Sequence, residues 1–136
     1  MKKIILPIFI TVMLIMCSRL FIKNPETTIK EYYKSYGYTL SESPVEITRL
    51  TLNDKMTDVY ENYNKILKKS GLDITPYLGK TVRKYTYSLK EIPSKTPVFA
   101  NILYYKGKII AADIMTPAID GFMISPNEHI PLNLLT

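Results

Sequence analysis

The distribution of apolar positions is least even at the N-terminus, where Lys2 and Lys3 are followed by an apolar run, residues 4–16. Basic residues followed by about 13 mostly apolar ones are typical of an export signal or a membrane anchor. Residues 1–23 are therefore predicted to place the rest of the chain outside the cytosol, facing out from the cell membrane.

Three forms of this N-terminal segment remain open. As a helix, residues 4–22 would be about 28 Å long, close to the thickness of a bilayer core, with Arg19 near its end. The second form is a signal peptide removed by a signal peptidase, although small residues suited to that cleavage are absent around Cys17. The third is a lipoprotein with Cys17 as the lipidated residue, although Met16 stands where such sites have a small residue.

A spacing of three and four residues between apolar positions predicts two amphipathic helices. The first begins with Asn24 as the N-cap and Pro25 in the first turn, and Gly37 ends it. The second is predicted over residues 55–69, with Asn53 and Asp54 as its cap. Its apolar stripe comprises Met56, Val59, Tyr60, Tyr63, Ile66 and Leu67.

Strands are predicted at residues 45–52, 81–89, 98–105 and 108–115, from β-branched content and alternation. The last two flank the two-residue loop Lys106-Gly107, which is a hairpin signal. This loop places Tyr105 opposite Lys108. Counting back along both strands predicts Ala100 opposite Asp113 and Asn101 opposite Ala112. Both faces of the hairpin are mostly apolar, so it is predicted to be central or covered on both sides.

This order of elements predicts an α+β fold in which two amphipathic helices pack on a small antiparallel sheet of about four strands. The N-terminal membrane helix or signal segment precedes it. Three regions follow: a signal or anchor at residues 1–23, an extracytoplasmic domain at 24–123 and a C-terminal tail at 124–136.

Charge argues against a nucleic-acid partner. The formal net charge is +6, but four of the 18 basic residues lie in residues 1–23. The remaining residues carry 14 basic and 12 acidic side chains, without the concentrated basic face that nucleic-acid binding requires. The predicted partners are the membrane, through the N-terminal segment, and an envelope protein or a cell-wall ligand.

Six short blocks between residues 59 and 123 resemble a known family. They are Val59–Asn64, Ser70–Asp73, Tyr77–Lys80, Arg83–Tyr87, Tyr105–Lys108 and Asp120–Met123. In this order they resemble the bacterial family catalogued as domain of unknown function 4830, small exported or membrane-anchored proteins of Gram-positive bacteria, over about residues 36–123. The family has no established activity, so the resemblance implies no catalytic residue. Its usual glycines and Cys-Ser near the last strand are replaced here by residues 111–116, which keep only Asp113.

Asp113 is the candidate functional residue. A carboxylate on an apolar face must be paired, hydrogen-bonded or protonated, and such groups are sometimes functional. The structural alternative is that it accepts hydrogen bonds from nearby backbone or from a tyrosine hydroxyl and so fixes the sheet.

Other candidate groups have plain structural explanations. Asp54, Asp58 and Glu61 could attract a hard cation, but their interaction with a helix dipole explains the same pattern. His129 is predicted to be a surface residue in the tail. With one histidine and one cysteine in the chain, zinc and Cys–His chemistry are excluded, and no cofactor is predicted. A group of tyrosines could stack on sugars or anchor a protein partner: Tyr32, Tyr33, Tyr36, Tyr38, Tyr85, Tyr87, Tyr104 and Tyr105.

The sequence therefore predicts a membrane-anchored extracytoplasmic binding or accessory module of the bacterial envelope, without a catalytic motif and not an enzyme. One alternative is a small envelope enzyme that uses carboxylate and tyrosine chemistry around Asp113. The other is an inhibitor or sensor domain that pairs with its partner through an edge of the sheet.

Overall fold

The computed structural model describes residues 2–20, 23–131 and 133, with no side-chain description for residues 2 and 17–20. Three α-helices and five strands follow in the order α1 (Lys2–Leu20), α2 (Pro25–Ser35), β1 (Glu46–Thr51), α3 (Asp58–Lys68), β2 (Thr81–Ser88), β3 (Phe99–Tyr105), β4 (Lys108–Met115) and β5 (Met123–Ile124). The strands form one antiparallel sheet in sequence order, with β1 at one edge and β5 at the other. The predicted α+β class is confirmed, but the sheet has five strands rather than four.

The extra strand is the two-residue β5, which pairs with the end of β4. Two residues are too few to show a period in the sequence, which explains why it was not predicted. The chain after β5 stays against the domain, because the Tyr38 hydroxyl donates to the Glu128 carbonyl and Lys69 pairs with the Glu128 carboxylate at 2.7 Å.

The N-terminal segment forms α1, and the described side chains from residue 3 to residue 16 are exposed. Among the described residues, no helix combines the length and the apolar character that a membrane crossing requires. The membrane helix predicted over residues 4–22 is therefore not found, and residues 21 and 22 lie outside the described part of the chain. The side chain of Cys17, the predicted lipidation site, is likewise not described.

The ends of α2 are as predicted from the sequence. The Asn24 side chain accepts a hydrogen bond from the Glu26 amide, and Pro25 occupies the first helical position. At the other end, Gly37 has a φ of +89°, and the amides of Gly37 and Tyr38 donate to the carbonyls of Lys34 and Tyr33. This is the Schellman arrangement, which requires a left-handed residue after the helix and explains the glycine.

The start of α3 differs from the prediction by three residues. Thr57 is the N-cap, and its hydroxyl accepts from the Tyr60 amide at 3.2 Å. Asn53 instead serves the tertiary structure, since its carbonyl accepts from the Gly79 amide and its own amide donates to the Tyr60 hydroxyl. Met56 therefore lies before the helix.

This capping is testable by substitution. Replacing Thr57 with alanine should lower the free energy of unfolding by about 1 kcal/mol, because the Tyr60 amide loses its acceptor. Asp54→Ala, at the position first predicted to cap the helix, should change it by less than about 0.5 kcal/mol. Urea unfolding of both variants measures the difference. Equal losses would mean that α3 begins earlier.

The sheet lies between the two helices of the domain, and each face has its own core. On one face, α2 packs through Ile29 and Tyr33. The sheet residues buried there include Tyr85, Tyr87, Ala100, Ile102, Ala112 and Ile114. On the other face, Leu67 of α3 packs on Val82, Leu103 and Ala111, together with Ile74 from the loop before β2. The hairpin is thus central in the sheet and contributes buried residues to both cores, in line with the prediction.

The register of the β3–β4 hairpin follows the prediction only beside its turn. Tyr105 pairs with Lys108, as expected, but Leu103 pairs with Ala111 while Tyr104 pairs with Ile109. Ile110 is thus an extra residue in β4, a β-bulge. The bulge moves the register by one, so the predicted pairs of Ala100 with Asp113 and Asn101 with Ala112 are wrong. Asp113 lies opposite Asn101 instead.

Candidate functional site

The α3 face of the sheet is only partly covered. The core beneath α3 includes Val82, Leu103 and Ala111, whereas Phe99 and Met115, further along the same face, belong to neither core cluster. A groove of about 1060 Å³ opens between this part of the sheet and α3. We call it the α3 groove. It is lined by Val45, Glu46, Leu50, Leu52, Val59, Tyr60, Asn62, Tyr63, Ile66, Ile74, Lys84, Thr86, Phe99, Asn101, Leu103, Asp113, Met115 and Met123.

Asp113 is the most buried polar residue of the groove lining, with 2% of its surface exposed. One carboxylate oxygen accepts from the Asn101 amide group at 3.0 Å, and the other accepts from the Tyr63 hydroxyl at 2.8 Å. Asn101 in turn accepts from the Thr86 hydroxyl at 3.0 Å. Four side chains from three strands and α3 thus form one polar network in an otherwise apolar groove.

The bulge in β4 makes this network possible. Side chains alternate between the two faces of a strand, so a shift of one residue moves a side chain to the other face. Without the shift, Asp113 would share a face with Ala100 and the α2 core. With it, Asp113 lies opposite Asn101 and faces α3.

A second tyrosine reaches the same pair of residues from the opposite face. The Tyr33 hydroxyl of α2 donates to the backbone carbonyls of Asp113, at 2.8 Å, and Asn101, at 3.1 Å. Tyr33 is fully buried. The Asn101–Asp113 pair is therefore held from one side through its backbone and from the other through the Tyr63 hydroxyl.

Burial raises the pKa of the Asp113 carboxyl above its usual 3.8, while the hydrogen bonds from Asn101 and Tyr63 and the charge of Lys84 oppose the rise. Burial and the Asp113 charge also hold the pKa of Tyr63 well above 10. Among the described residues, Asp113 forms no ion pair within 4 Å. The site is therefore an incompletely neutralised carboxylate at the floor of an apolar groove.

The pH dependence of stability tests this environment. A raised folded-state pKa means that the folded protein holds the Asp113 proton more tightly than the unfolded chain. This contribution is fully present below about pH 3.8 and is lost as the pH rises through the folded-state value. The stability of the wild type relative to Asp113→Asn should thus fall across that window, by about 1.4 kcal/mol per unit of pKa shift.

The Asn substitution suits this comparison because the network can re-form around it. The side-chain amide of Asn101 can rotate by about 180°, so that its oxygen accepts from the amide group introduced at position 113 and its nitrogen donates to the Thr86 hydroxyl. Asp73, whose pKa is lowered to about 2, and Glu128, whose pKa is also lowered, give the opposite pH slope. Both groups are unchanged in the Asp113→Asn variant, so their contributions cancel in the difference between the free energies of unfolding of the two proteins. Urea unfolding at several pH values measures it, and a difference independent of pH would contradict the prediction.

The other residues predicted as functional candidates do not line the α3 groove. Asp58 and Glu61 lie in the first turn of α3, and Asp54 lies before the helix. Among the described residues, no group of three or more His, Cys, Asp and Glu side chains could hold a metal ion. His129 is exposed in the tail. Most of the predicted tyrosine group serves packing, with edge-to-face contacts such as Tyr32–Tyr33 and Tyr85–Tyr104.

Sequence reasoning selected Asp113 but not its partners. Asn101 had a visible signal, as a polar residue within an apolar strand. Tyr63 belongs to the apolar stripe predicted for its helix, and nothing in the sequence brings it to a residue 50 positions away. Thr86 lies within a predicted strand, and the sequence gives no sign of its contact with Asn101.

The fold and the site define a three-layer α+β domain with a ligand-sized groove on one face of its sheet. The chain belongs to the family described as domain of unknown function (DUF4830), whose model matches residues 32–114. The match includes Tyr33, Tyr63, Asn101 and Asp113, whereas the block at residues 120–123 falls outside it. Comparison with curated proteins and with solved structures found no match.

Proposed function

We propose that the protein is a non-catalytic binding module whose α3 groove takes a small amphiphilic molecule. The ligand has an apolar body and a cationic or hydrogen-bond-donating group. The observation that carries this proposal is the buried Asp113 carboxylate at the floor of a groove of about 1060 Å³. Ligand pockets are typically of this size, mostly apolar, with a few polar groups that fix orientation.

The Asp113 carboxylate at the floor of the α3 groove favours a ligand group that donates hydrogen bonds over one that accepts them. A buried carboxylate without an ion pair is stabilised by any group that brings positive charge or an N–H to it. Lys84 lowers the pKa of Asp113 through its charge but forms no ion pair with it among the described residues. A ligand amine would therefore gain from Asp113, whereas a ligand carboxylate would be repelled.

The apolar walls supply the other half of the recognition. Val45 and Val59 line the groove and are 56% and 73% exposed. Exposed apolar side chains grouped around a concave site are typical of binding surfaces. The apolar part of the ligand would cover them, with its polar group directed to Asp113 and Asn101.

We also propose that the module works outside the cytosol and binds an envelope ligand. The basic and apolar pattern of residues 2–16 supports this location. Lipid attachment at Cys17 and removal of a signal segment are the two routes that the proposal retains. Mass measurement of the protein recovered from its host distinguishes them, because a lipoprotein would begin at Cys17 and carry the added mass of the lipid, whereas cleavage by a signal peptidase removes part of the segment and adds no mass.

The binding test uses two probes that differ in the charge of one end. The full chain is titrated with 2-phenylethylamine and with phenylacetate, and backbone amide shifts are followed by NMR. The amine should shift the amides of Thr86, Asn101 and Asp113, and phenylacetate should bind more weakly. Asp113→Asn should remove this preference, while Asp120→Asn, an exposed carboxylate outside the groove lining, should keep it. If neither probe shifts the groove amides, the proposal fails.

A second candidate, an enzyme, is favoured by one specific contact. The Tyr63 hydroxyl donates at 2.8 Å to a carboxylate whose pKa is raised, which is an arrangement seen in general acid–base sites. Incubation of the wild type and of Tyr63→Phe with an envelope extract, followed by mass spectrometry, separates the two functions. Loss of a compound that requires the Tyr63 hydroxyl supports the enzyme. Unaltered compounds recovered bound to both proteins support the binding module.

The sheet-edge alternative rests on β1, an edge strand of six residues. Its charged residues, Glu46 and Arg49, are a common means of discouraging strand addition. If pairing through β1 were the function, substitutions in the groove would leave partner binding unchanged.

A further inference from the structure

Two arginines face each other on the sheet surface opposite the α3 groove. Arg49 of β1 and Arg83 of β2 are directly paired in the register, and Tyr104 of β3 follows Arg83 in the same row. Like charges directly opposite each other on neighbouring strands destabilise a sheet. Among the described residues, neither guanidinium forms an ion pair with an acidic group within 4 Å.

These arginines line a cleft of about 290 Å³, which we call the arginine cleft. Besides the two arginines, its lining includes Pro25, Tyr85 and Tyr104, and it contains no acidic residue. Lys106 also belongs to the lining, but its ammonium lies 5.4 Å from the centre of the Tyr105 ring, and that ring packs with the core beneath α3 on the other face of the sheet. Arg49, Arg83 and Tyr104 thus lie in one row along a small concave space whose lining has no acidic group.

We propose that the arginine cleft binds a phosphate group. A guanidinium presents a planar set of donors that matches phosphate oxygens, and two such groups on adjacent strands can grip one anion from both sides. The bound anion would neutralise the repulsion between Arg49 and Arg83. The cleft is about a quarter of the volume of the α3 groove, so it fits a phosphate or a headgroup rather than a large ligand.

The phosphate has two sources, a lipid headgroup or a free phosphate. Pro25 belongs to the cleft and lies close in sequence to the apolar N-terminal segment, so a lipid source is consistent with the chain order. The two sources share the same chemistry at the arginines and differ in whether a membrane surface is needed.

The test compares the full chain with Arg49→Gln/Arg83→Gln. Lys65→Gln/Lys68→Gln is the matched control, because it removes the same charge from exposed positions on α3, on the other face of the sheet. Each protein is measured with phosphatidylcholine vesicles, with vesicles that also contain phosphatidylglycerol, and with inorganic phosphate in solution. The neutral vesicles account for any binding through the N-terminal segment.

If the source is a lipid, the arginine variant should bind the phosphatidylglycerol vesicles about 25-fold more weakly, at about fivefold for each basic residue, and the control should keep most of its affinity. If the source is free phosphate, the anion should shift the amides around Arg49 and Arg83 and raise the Tm of the wild type, but not that of the arginine variant. Either result supports the cleft. Equal behaviour of wild type and arginine variant with all probes, or an equal loss in the lysine control, would overturn it.

A charge reversal keeps the test independent of folding defects. Arg83→Glu places a carboxylate opposite Arg49, so it should raise the Tm by about 3 °C while abolishing the response to phosphate. A lower Tm in this variant would mean that the two arginines do not repel each other, and the argument for a missing anion would fail.

Discussion

Tyr33→Phe is expected to lower the free energy of unfolding by about 2 kcal/mol, and Tyr33→Ala by about 4 kcal/mol. The hydroxyl donates to the backbone carbonyls of Asn101 and Asp113, and its loss leaves both without that donor in a buried place. The alanine variant also leaves a cavity, because Tyr33 is fully buried between α2 and the sheet. Urea unfolding measures both losses.

Tyr87 supplies the matched control. It is also fully buried, but its hydroxyl has no hydrogen-bond partner among the described residues. Tyr87→Phe removes an unpaired polar group and should raise the free energy of unfolding by about 1 kcal/mol. Replacing tyrosine with phenylalanine should thus lower the free energy of unfolding at position 33 and raise it at position 87, although both residues belong to one core. Equal effects would show that the Tyr33 hydroxyl contributes nothing specific.

The two tyrosines also show what the sequence could predict about the core. Strict alternation of side chains along a strand puts Tyr85 and Tyr87, which are two positions apart, on the same face of β2, and both belong to the α2-side core. It could not show which hydroxyl would find a partner. Tyr33 meets carbonyls 68 and 80 residues away, and contacts at such separations depend on how the helix docks.

The register of the β3–β4 hairpin is a second feature that the sequence predicts only in part. The Lys106-Gly107 loop fixed the pairs next to it, but the prediction assumed an unbroken ladder. Ile109 and Ile110 are both apolar, so neither face of β4 gave a sign that one residue was extra. The bulge at this position decided that Asp113 would face α3 and pair with Asn101. The candidate residue was therefore predictable, and its site was not.

The arginine pair was hidden for a related reason. The β1–β2 register depends on a connection that contains α3 and the loop after it, and no tight turn sets the count between the strands.

The start of helix α3 could not be predicted from the sequence either. Asn53-Asp54 and Thr57-Asp58 are both acceptable N-caps. Because Asn53 bonds to Gly79 in the folded protein, Thr57 is the residue that caps the helix.

Val45→Gln/Val59→Gln is expected to weaken ligand binding in the α3 groove about 30-fold, equivalent to about 2 kcal/mol, through the loss of apolar contact at two rim positions. Both side chains are largely exposed, so the stability of the domain should change by less than about 0.5 kcal/mol for each. Glutamine is neutral, so it neither attracts nor repels the charged end of the probe. Ile119→Gln, at a fully exposed position outside the groove lining, is the control.

The rim and the floor of the groove should act on different quantities. The valine variant should lower the affinity for 2-phenylethylamine and for phenylacetate by the same factor, because both probes share the apolar ring. Asp113→Asn should instead change the ratio of the two affinities, because the Asp113 carboxylate interacts only with the charged end of each probe. NMR titration of the three proteins gives both quantities. If the valine variant binds as the wild type does, the ring does not lie in the groove. If Asp113→Asn leaves the ratio unchanged, the ligand does not reach its floor.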